Sequence, residues 1–311
     1  MKRHRRPPHI VLFFTEDREK RLQAELGNPD AALAPSQMLV LCVESIRRVM
    51  PQCPVVLVTD ETFDAPGLPD DLTLVRHADI RHGHLMYDRL RVQKQYVDAL
   101  LEHGEEVDLV FMDIDILLNR ALDDVFGSDF DLAFPATFYP DLKYSERGVP
   151  LNSLMSIING GVLFARSSEA TSRFFGAWMQ QMEYLFQHDA LEEYGALKGR
   201  VREHFMSWWG EPHTLMVMFG RAFMAGQRKH VRYQGIKVAI LEDALYNYAP
   251  EIERVGDNWQ ISVTDQDRRS RFVSHLRGQR KVFMVQLAAT LRTAMESPVP
   301  APAPATATAL A

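Results

Sequence analysis

Two carboxylates two positions apart, Asp113 and Asp115, are the residues of the sequence best placed to do chemistry. They follow the apolar segment 107–112 (VDLVFM), which has the composition of a buried strand. Side chains two positions apart on an extended chain point to the same side, so both carboxylates can bind one ion. Their oxygen atoms suit Mg²⁺ or Mn²⁺ carrying a phosphate ligand. The pair therefore predicts a metal site at the end of a strand.

Two other Asp-x-Asp triplets serve as internal comparisons, and neither follows a predicted strand in this way. Residues 129–131 precede the apolar segment 132–134, and residues 265–267 lie in a polar turn, where turn chemistry explains them. A rival chemistry for Asp113 and Asp115 is that of haloacid-dehalogenase-like phosphatases, in which the first Asp is a nucleophile. The phosphatase motif normally continues with Thr or Val where this chain has Leu117. That motif normally lies on the first strand, whereas Asp113 and Asp115 lie deep in this chain. Both differences count against a phosphatase.

The segment Asn159-Gly160-Gly161 lies between two apolar runs and has two interpretations. Asn-Gly is a strong signal for a type I′ β-hairpin. Alternatively, the glycines let the backbone approach a ligand closely while the Asn159 amide hydrogen-bonds that ligand. The segment alone leaves both interpretations open.

A short basic segment near the C-terminus spaces His275, Gly278 and Lys281 three residues apart. A neutral imidazole can complete a metal site, and a lysine supplies a positive charge to phosphate. The alternative is a solvated basic loop, because three arginines lie just upstream, between positions 268 and 271.

Taken together and in this order, the three motifs resemble those of the GT-A nucleotide-sugar glycosyltransferases. The closest resemblance is to the retaining transferases of family eight and the related nucleotide-diphospho-sugar transferases, and it extends over about residues 10–281. It implies that Asp113, Asp115 and His275 hold Mn²⁺ (or Mg²⁺), which grips the diphosphate of a UDP-sugar. It also implies that Gly278 and Lys281 lie at the diphosphate.

The same resemblance assigns residues to the donor. Tyr87 and Arg89 match a Tyr-x-Arg motif that lies near the donor in the family, and the loop after the first strand would hold the nucleotide base. Asn159 and Gly160 would face the transferred sugar. The residues implied in donor binding are Phe14, Thr15, Tyr87, Arg89, Asp113, Gly160, Gly161, Gly278 and Lys281.

Two parts of the family pattern differ in this chain. The Trp usually found shortly after the late Lys is absent, and Val282 and Phe283 follow Lys281 instead. The family usually carries an Asp-Gln pair before the next helix, whereas residues 210–213 read Gly-Glu-Pro-His. We expect Glu211 to take the place of the Asp as a partner for a sugar hydroxyl. The absent Gln leaves the sugar contacts and the stereochemistry open. The residues expected to act in catalysis are Arg89, Asn159 and Glu211.

The expected function is metal-dependent transfer of a sugar from a UDP-sugar to an acceptor hydroxyl, with retention. In the family's retaining mechanism a leaving phosphate oxygen takes the acceptor proton, whereas an inverting enzyme needs a base, for which Glu211 is the candidate. The alternatives are a metal-dependent phosphatase or nucleotidyltransferase that uses Asp113 and Asp115, and a non-catalytic nucleotide-sugar-binding module. The acceptor is open: a glycan, a lipid-linked glycan, a protein or a small molecule.

Strands that alternate with helices in the first part of the chain predict the fold that positions these residues. Apolar runs at 9–14, 55–59, 72–75 and 107–112 indicate strands, and apolar residues at helical spacing occupy 37–49 and 87–101. The alternation predicts an α/β fold with a doubly wound, mostly parallel sheet flanked by helices. With the resemblance, we expect it to be GT-A-like, with a small antiparallel portion towards the C-terminus. Ligands bind beyond the carboxyl ends of strands in such sheets.

The composition of the chain indicates its domain boundaries and location and argues against some classes of function. The 311 residues include 35 Lys and Arg against 41 Asp and Glu, a formal net charge of −6, which argues against a nucleic-acid binder. We expect one glycosyltransferase domain at 9–296, between a basic disordered tail at 1–8 and a Pro/Ala-rich disordered tail at 297–311. No segment has the roughly 18 apolar residues of a membrane span. A cytoplasmic protein is expected, with weak peripheral contact at the inner membrane face as an option for the basic tail. Cys42 and Cys53 are expected to be buried free thiols.

Overall fold

The computed structural model of the chain describes residues 6–15, 34–63, 67–138, 143, 158–187, 204–256 and 258–296. Residues 1–5 of the expected N-terminal tail and all of the expected C-terminal tail lie outside the described residues, so the domain boundaries remain predictions. In the ranges given, no helix is both long and apolar enough to cross a bilayer. The cytoplasmic location and the peripheral membrane contact also remain predictions.

Eight strands of the described chain form one mixed sheet, and four more form two small pairs. The strands are β1 (His9–Phe13), β2 (Val55–Asp60), β3 (Thr73–His77), β4 (Asp108–Met112), β5 (Ile116–Leu118), β6 (Leu132–Ala136), β7 (Val162–Arg166), β8 (His230–Tyr233), β9 (Ile236–Glu242), β10 (Glu251–Val255), β11 (Asn258–Ser262) and β12 (Val273–His275). The order in the large sheet is β3-β2-β1-β4-β7-β6-β9-β8, with β7 and β8 antiparallel to their neighbours. The small pairs are β10 with β11 and β5 with β12, both antiparallel.

The predicted mostly parallel sheet and its antiparallel portion near the C-terminus are confirmed. The position of β7 was not predicted: it runs antiparallel between β4 and β6, near the middle of the sheet. Each of these strands is a short apolar run buried on both faces, and such a run has the same composition whichever way it points. Strand direction is therefore set by the connections and not by the residues of the strand.

Helices cover both faces of the sheet. The helices are α1 (Pro35–Val49), α2 (Leu85–Glu102), α3 (Glu169–Gln187), α4 (Gly210–Met224), α5 (Asp243–Tyr246), α6 (Asp265–Ser270) and α7 (Met284–Glu296). Apolar residues of α1 and α7 belong to the core on one face, and those of α2, α3 and α4 to the core on the other. The helices expected at 37–49 and 87–101 correspond to α1 and α2. The predicted α/β arrangement, a mostly parallel sheet flanked by helices, is thus confirmed.

Strand β1 shows why the predicted strands read as continuous apolar runs. Ile10 and Leu12 belong to the core on the face of α1, whereas Val11 and Phe13 belong to the core on the opposite face. Successive side chains of a strand point to opposite faces, so a strand covered on both sides needs apolar residues throughout. The two cysteines, Cys42 and Cys53, are buried and free, as expected.

The two comparison triplets have structural roles. Asp129 pairs with the Lys237 ammonium at 2.7 Å, and a carboxylate oxygen of Asp131 accepts a hydrogen bond from the Lys237 backbone N–H at 2.8 Å. Both residues precede β6, as the sequence predicted. Asp267 forms a capping box with Thr264 at the start of α6. Local structure explains both triplets.

Ser45 links α1 to the segment that follows the Asp113-x-Asp115 pair. Its hydroxyl donates to the Cys42 carbonyl oxygen at 2.7 Å and accepts a hydrogen bond from the Leu118 backbone N–H at 3.0 Å. Leu118 is the last residue of β5. One buried hydroxyl thus joins the helix on one face of the sheet to the strand that begins directly after Asp115.

We expect Ser45→Ala to lower the free energy of unfolding by about 1–3 kcal/mol, because it leaves the buried Leu118 N–H without an acceptor. Urea unfolding followed by circular dichroism measures the change. The control is Ser270→Ala: the Ser270 hydroxyl donates to the Gln266 carbonyl oxygen on the surface of α6. That control should change stability by no more than about 0.5 kcal/mol. Equal stabilities of the two variants would contradict the role given to Ser45.

Candidate active site

The carboxyl end of β4 and a small antiparallel pair together build a cluster of polar side chains. The Asp113 backbone N–H donates to the Gly161 carbonyl oxygen at 2.8 Å, which continues the pairing of β4 with β7 by one residue. After Asp115 the chain enters β5, whose partner β12 places His275 opposite Ile116. The Leu276 backbone N–H also donates to the Asp115 carbonyl oxygen at 2.9 Å. The β5–β12 pairing therefore brings His275 to the acidic pair.

Asp113, Asp115 and His275 form the candidate metal site that the sequence predicted. One ligand atom from each lies within 4.8 Å of the others. The His275 Nε2 atom lies 3.2 Å from one oxygen of Asp115, and the Lys281 ammonium lies 3.0 Å from the other. Asp115, His275 and Lys281 are all buried. Two carboxylates and an imidazole are a donor set that fits a divalent cation.

Arg89 joins the metal cluster to a third carboxylate. It projects from α2, is 5% exposed, and forms ion pairs with Asp113 through Nη1 and with Glu211 through Nη2. Nη2 also donates to the Gly160 carbonyl oxygen at 3.1 Å. Burial alone would lower the pKa of Arg89, but the charges of Glu211 and Asp113 outweigh it and raise the pKa above its ordinary value. The guanidinium therefore stays charged between the two carboxylates.

The glycine pair leaves room for these side chains. A Cβ on Gly160 would overlap Glu211 and lie 2.9 Å from Nη2 of Arg89, and a Cβ on Gly161 would overlap His275. A type I′ hairpin needs positive φ at Asn159 and Gly160, and neither residue has one. The hairpin interpretation is therefore wrong. The groups that lie close to the two glycines are side chains of the site itself, and the expected close approach of a ligand remains a prediction.

The sequence matches a known protein family over the segments that form this site. The profile of the nucleotide-diphospho-sugar transferase family matches residues 71–285, more than half of the chain. The chain belongs to this family. The match covers the Asp113-x-Asp115 pair, the Asn159-Gly160-Gly161 segment and the late His275–Lys281 segment on which the sequence resemblance rested. A search of curated proteins gave no match.

Solved structures of transferases are similar to the chain over most of its length. An active-site mutant of LgtC aligns with a TM-score of 0.46 and 13% identity, covering 92% of this chain and 95% of that chain. The galactosyltransferase LgtC in complex with donor and acceptor sugar analogs aligns with a TM-score of 0.45 and 12% identity, covering 94% and 98%. A glycosyltransferase involved in glycosylation of the major capsid of PBCV-1 aligns with a TM-score of 0.44 and 10% identity, covering 90% and 100%.

The start of α4 explains how this transferase positions Glu211. A π-helical turn, Phe205–Trp209, precedes the helix, and a Cβ on Gly210 would overlap the Phe205 carbonyl oxygen of that turn and lie 2.6 Å from Met182 of α3. The small Gly210 therefore lets the first turn of α4 pack closely against α3. The Trp178 indole of α3 donates to the Glu211 carbonyl oxygen at 3.2 Å. Glu211 is buried and both of its carboxylate oxygens accept from Arg89.

The side chains of Asn159 and Tyr87 each form a hydrogen bond within the protein. The Asn159 side-chain oxygen accepts from the Gly161 backbone N–H at 2.9 Å, so it shapes the loop. The Tyr87 hydroxyl donates to Glu183 on α3, and the Arg81 guanidinium lies 5.6 Å from the centre of its ring. Burial, together with that hydrogen bond, raises the pKa of Tyr87 to about 12. Their expected contacts with donor and sugar remain predictions.

The residues expected at the nucleotide base lie at the end of β1. Phe14 is fully buried and contacts the Phe63 ring edge-on, with ring centres 4.9 Å apart. Thr15 is also buried, and its hydroxyl has no hydrogen-bond partner among the described residues. Because β1 pairs in parallel with β4, this strand end lies beside Asp113. Phe14 packs in the core, and the expected role of both residues at the nucleotide base remains a prediction.

Gly278 and Lys281 lie in one 3₁₀ helix, Gly278–Phe283, which is joined to β12 by Leu276 and Arg277. Gly278 has φ of 61°, a left-handed conformation that glycine adopts without a steric penalty. The turn that follows directs the Lys281 side chain inwards to Asp115. The alternative of a solvated basic loop is therefore wrong for Lys281, which is 4% exposed.

Sequence reasoning missed two buried residues that support the site, Asp88 and Asn247. Asp88 accepts hydrogen bonds from the Arg81 backbone N–H at 2.7 Å and from the Arg91 Nε–H at 3.1 Å, which anchors the first turn of α2 beside Arg89. Asn247 contacts His275. Asp88 is the middle residue of the Tyr-x-Arg motif, a position to which the motif assigns no role. No sequence pattern singled out Asn247.

We expect Gly161→Ala to weaken Mn²⁺ binding by about 10- to 100-fold, the size of loss seen when a residue that supports a metal ligand is changed. The added methyl group would displace His275 from the carboxylates. Titration of the protein with Mn²⁺, followed by electron paramagnetic resonance of the free ion, measures the affinity. The control is Gly127→Ala, since a Cβ there meets nothing within 4 Å. Unchanged affinity in Gly161→Ala would contradict this account of the glycine.

Proposed function

We propose that the protein is a metal-dependent glycosyltransferase that moves a sugar from a UDP-sugar to an acceptor hydroxyl with retention. The observation that carries this proposal is the cluster of Asp113, Asp115, His275 and Lys281 at the carboxyl end of β4, in a chain of the nucleotide-diphospho-sugar transferase family. A metal-ligand set and a buried lysine at one carboxylate suit a diphosphate held by a cation.

Mn²⁺ is the cation that we propose, with Mg²⁺ as the second choice. Asp113 and Asp115 offer carboxylate oxygens, which both ions accept, and His275 adds a nitrogen ligand, which favours a transition ion. When bound, the ion supplies positive charge to the diphosphate of the donor. The three side chains come from the β4–β5 segment and from β12, so the β5–β12 pairing fixes their relative positions.

Lys281 and Arg89 supply the fixed positive charges of the site. Negative charge grows on the diphosphate as the bond to the sugar breaks, and positive groups held in a buried site stabilise it with little reorganisation. The Lys281 ammonium reaches this position from the 3₁₀ helix after β12, and the Arg89 guanidinium reaches it from α2. Each carboxylate of the acidic pair thus contacts one of these positive charges.

The contacts of Glu211 support retention. An inverting transferase needs a carboxylate that accepts the proton of the acceptor hydroxyl. Glu211 was the candidate for that role, but both of its oxygens accept from Arg89. It would have to leave this pair before taking a proton. In a retaining reaction a leaving phosphate oxygen takes the proton, and Glu211 serves to hold Arg89 beside Gly160.

We expect Mn²⁺-dependent release of UDP from one UDP-sugar, and loss of that release in Asp115→Asn because the change removes a charged ligand. The assay incubates the protein with a panel of nucleotide sugars and of glycan, lipid-linked and small-molecule acceptors, with Mn²⁺, Mg²⁺ or a chelator. The control variant is Asp129→Asn, the same change in a triplet outside the site. It should keep full activity.

Each other outcome of the panel points to a different function. Release of inorganic phosphate would favour a phosphatase, and UDP binding without turnover would favour a non-catalytic binding module. Activity that is unchanged by the chelator would contradict the metal dependence. The anomeric configuration of the first product, read by proton NMR, tests retention, and an inverted product would make Glu211 the candidate base.

We expect Lys281→Met to lower kcat by about 100- to 1,000-fold, the range for removal of one group that stabilises a developing anion. Steady-state kinetics with the donor found in the panel measures the change. Lys237→Met is the control, because the Lys237 ammonium pairs with Asp129, an exposed carboxylate that is not part of the cluster. An unchanged kcat in Lys281→Met would contradict the role proposed for this charge.

A further inference from the structure

His275 presents its two ring nitrogens to different partners. Nε2 faces Asp115 at 3.2 Å, inside the candidate metal site, and Nδ1 lies 2.7 Å from the side-chain oxygen of Asn247. A neutral imidazole carries one proton, so only one nitrogen has a lone pair free to bind a metal. The partner of Nδ1 therefore decides whether Nε2 is a ligand.

Asp243 determines which end of the Asn247 amide faces His275. The Asn247 amide nitrogen donates to a carboxylate oxygen of Asp243 at 2.6 Å. An ionised carboxylate only accepts hydrogen bonds, so the NH₂ group must face Asp243 and the amide oxygen must face the imidazole. The orientation of the amide thus rests on the chemistry of its neighbour.

The local backbone holds this arrangement in place. The Asn247 backbone N–H donates to the Asp243 carbonyl oxygen at 2.8 Å, at the end of the short helix α5. The Arg277 guanidinium donates to the Asn247 carbonyl oxygen at 3.2 Å and lies 3.6 Å from the Asp243 carboxylate. The His275 backbone N–H donates to the Tyr248 carbonyl oxygen at 2.7 Å. Asn247 itself is fully buried, so its amide is shielded from water.

We propose that Asn247 is a positioning residue that keeps the proton of His275 on Nδ1, so that Nε2 offers its lone pair to the metal. Asp243 sets the orientation of the Asn247 amide in this chain of hydrogen bonds. Ligating histidines commonly donate their second N–H to an oxygen that fixes the ring and its protonated nitrogen. The proposal rests on the proposed metal-dependent function, because it assigns Asn247 to the same site.

The first test locates the proton of His275 directly. The protein is labelled with ¹⁵N and loaded with Cd²⁺, a diamagnetic substitute for Mn²⁺, and its imidazole resonances are recorded by NMR. His275→Gln assigns the signal among the 11 histidines of the chain. The expected result is a protonated Nδ1 that is protected from exchange with water and a metal-bound Nε2. A protonated Nε2, or a metal on Nδ1, would overturn the proposal.

The second test measures Mn²⁺ affinity in the absence of any sugar donor. We expect Asn247→Ala to weaken binding by about 10- to 100-fold, and Asp243→Ala to weaken it in the same direction because the amide is then free to rotate. The matched control is Asn119→Ala, which removes an amide that donates to Ser274, the neighbour of His275 on β12, at 2.9 Å. The control should bind Mn²⁺ as the wild type does.

Thermal unfolding of each variant shows whether it is folded, and Asp243→Ala keeps the test valid should Asn247→Ala fail to fold. Wild-type affinity in both variants would overturn the proposal. Because the affinities are compared without a donor, their ratio does not depend on turnover. A wild type that binds Mn²⁺ but transfers no sugar would therefore overturn the proposed function and leave the role of Asn247 supported.

Discussion

Three carboxylates that meet in one cluster, two of them buried and Asp113 partly exposed, are the constraint on which the rest of the site depends. Asp113, Asp115 and Glu211 carry like charges in a region that excludes most water, and such charges are costly unless they are paired. Arg89 lies between Asp113 and Glu211, and Lys281 contacts Asp115. Each of the three carboxylates thus contacts a positively charged side chain among the described residues.

The fold meets this constraint by bringing charges from distant segments to one strand end. Arg89 and Glu211 are separated by 122 positions and come from α2 and α4. Asp88 fixes the first turn of α2 through Arg81 and Arg91, so the Arg89 side chain has a rigid base. The backbone between β6 and β7 carries no side chain at 160 and 161, which leaves room for the polar groups to meet. The anchored first turn of α2 and the two glycines are therefore as necessary for forming the site as the charged side chains.

The sequence predicted those parts of the molecule that depend on residues close together in the chain. The end of β4, the Asp113-x-Asp115 pair and the short spacing from His275 to Lys281 are local patterns, and the structure places all of them in one cluster. Three features were not predictable in this way. The direction of β7 depends on its connections, the Arg89–Glu211 pair depends on helix packing, and Asn247 lies 28 positions from His275. Each of these results from tertiary packing that leaves no periodic signal in the chain.

The position of Lys281 suggests how cation and donor binding are coupled under the proposed function. Its ammonium contacts the same carboxylate, Asp115, that is expected to bind the metal. A divalent ion at Asp115 would repel the ammonium and satisfy the carboxylate, which lowers the free energy required for Lys281 to contact a phosphate oxygen instead. A diphosphate between the ion and Lys281 would in turn screen their repulsion. Metal and donor would then each increase the affinity of the other, because binding free energies coupled through one shared carboxylate are reciprocal.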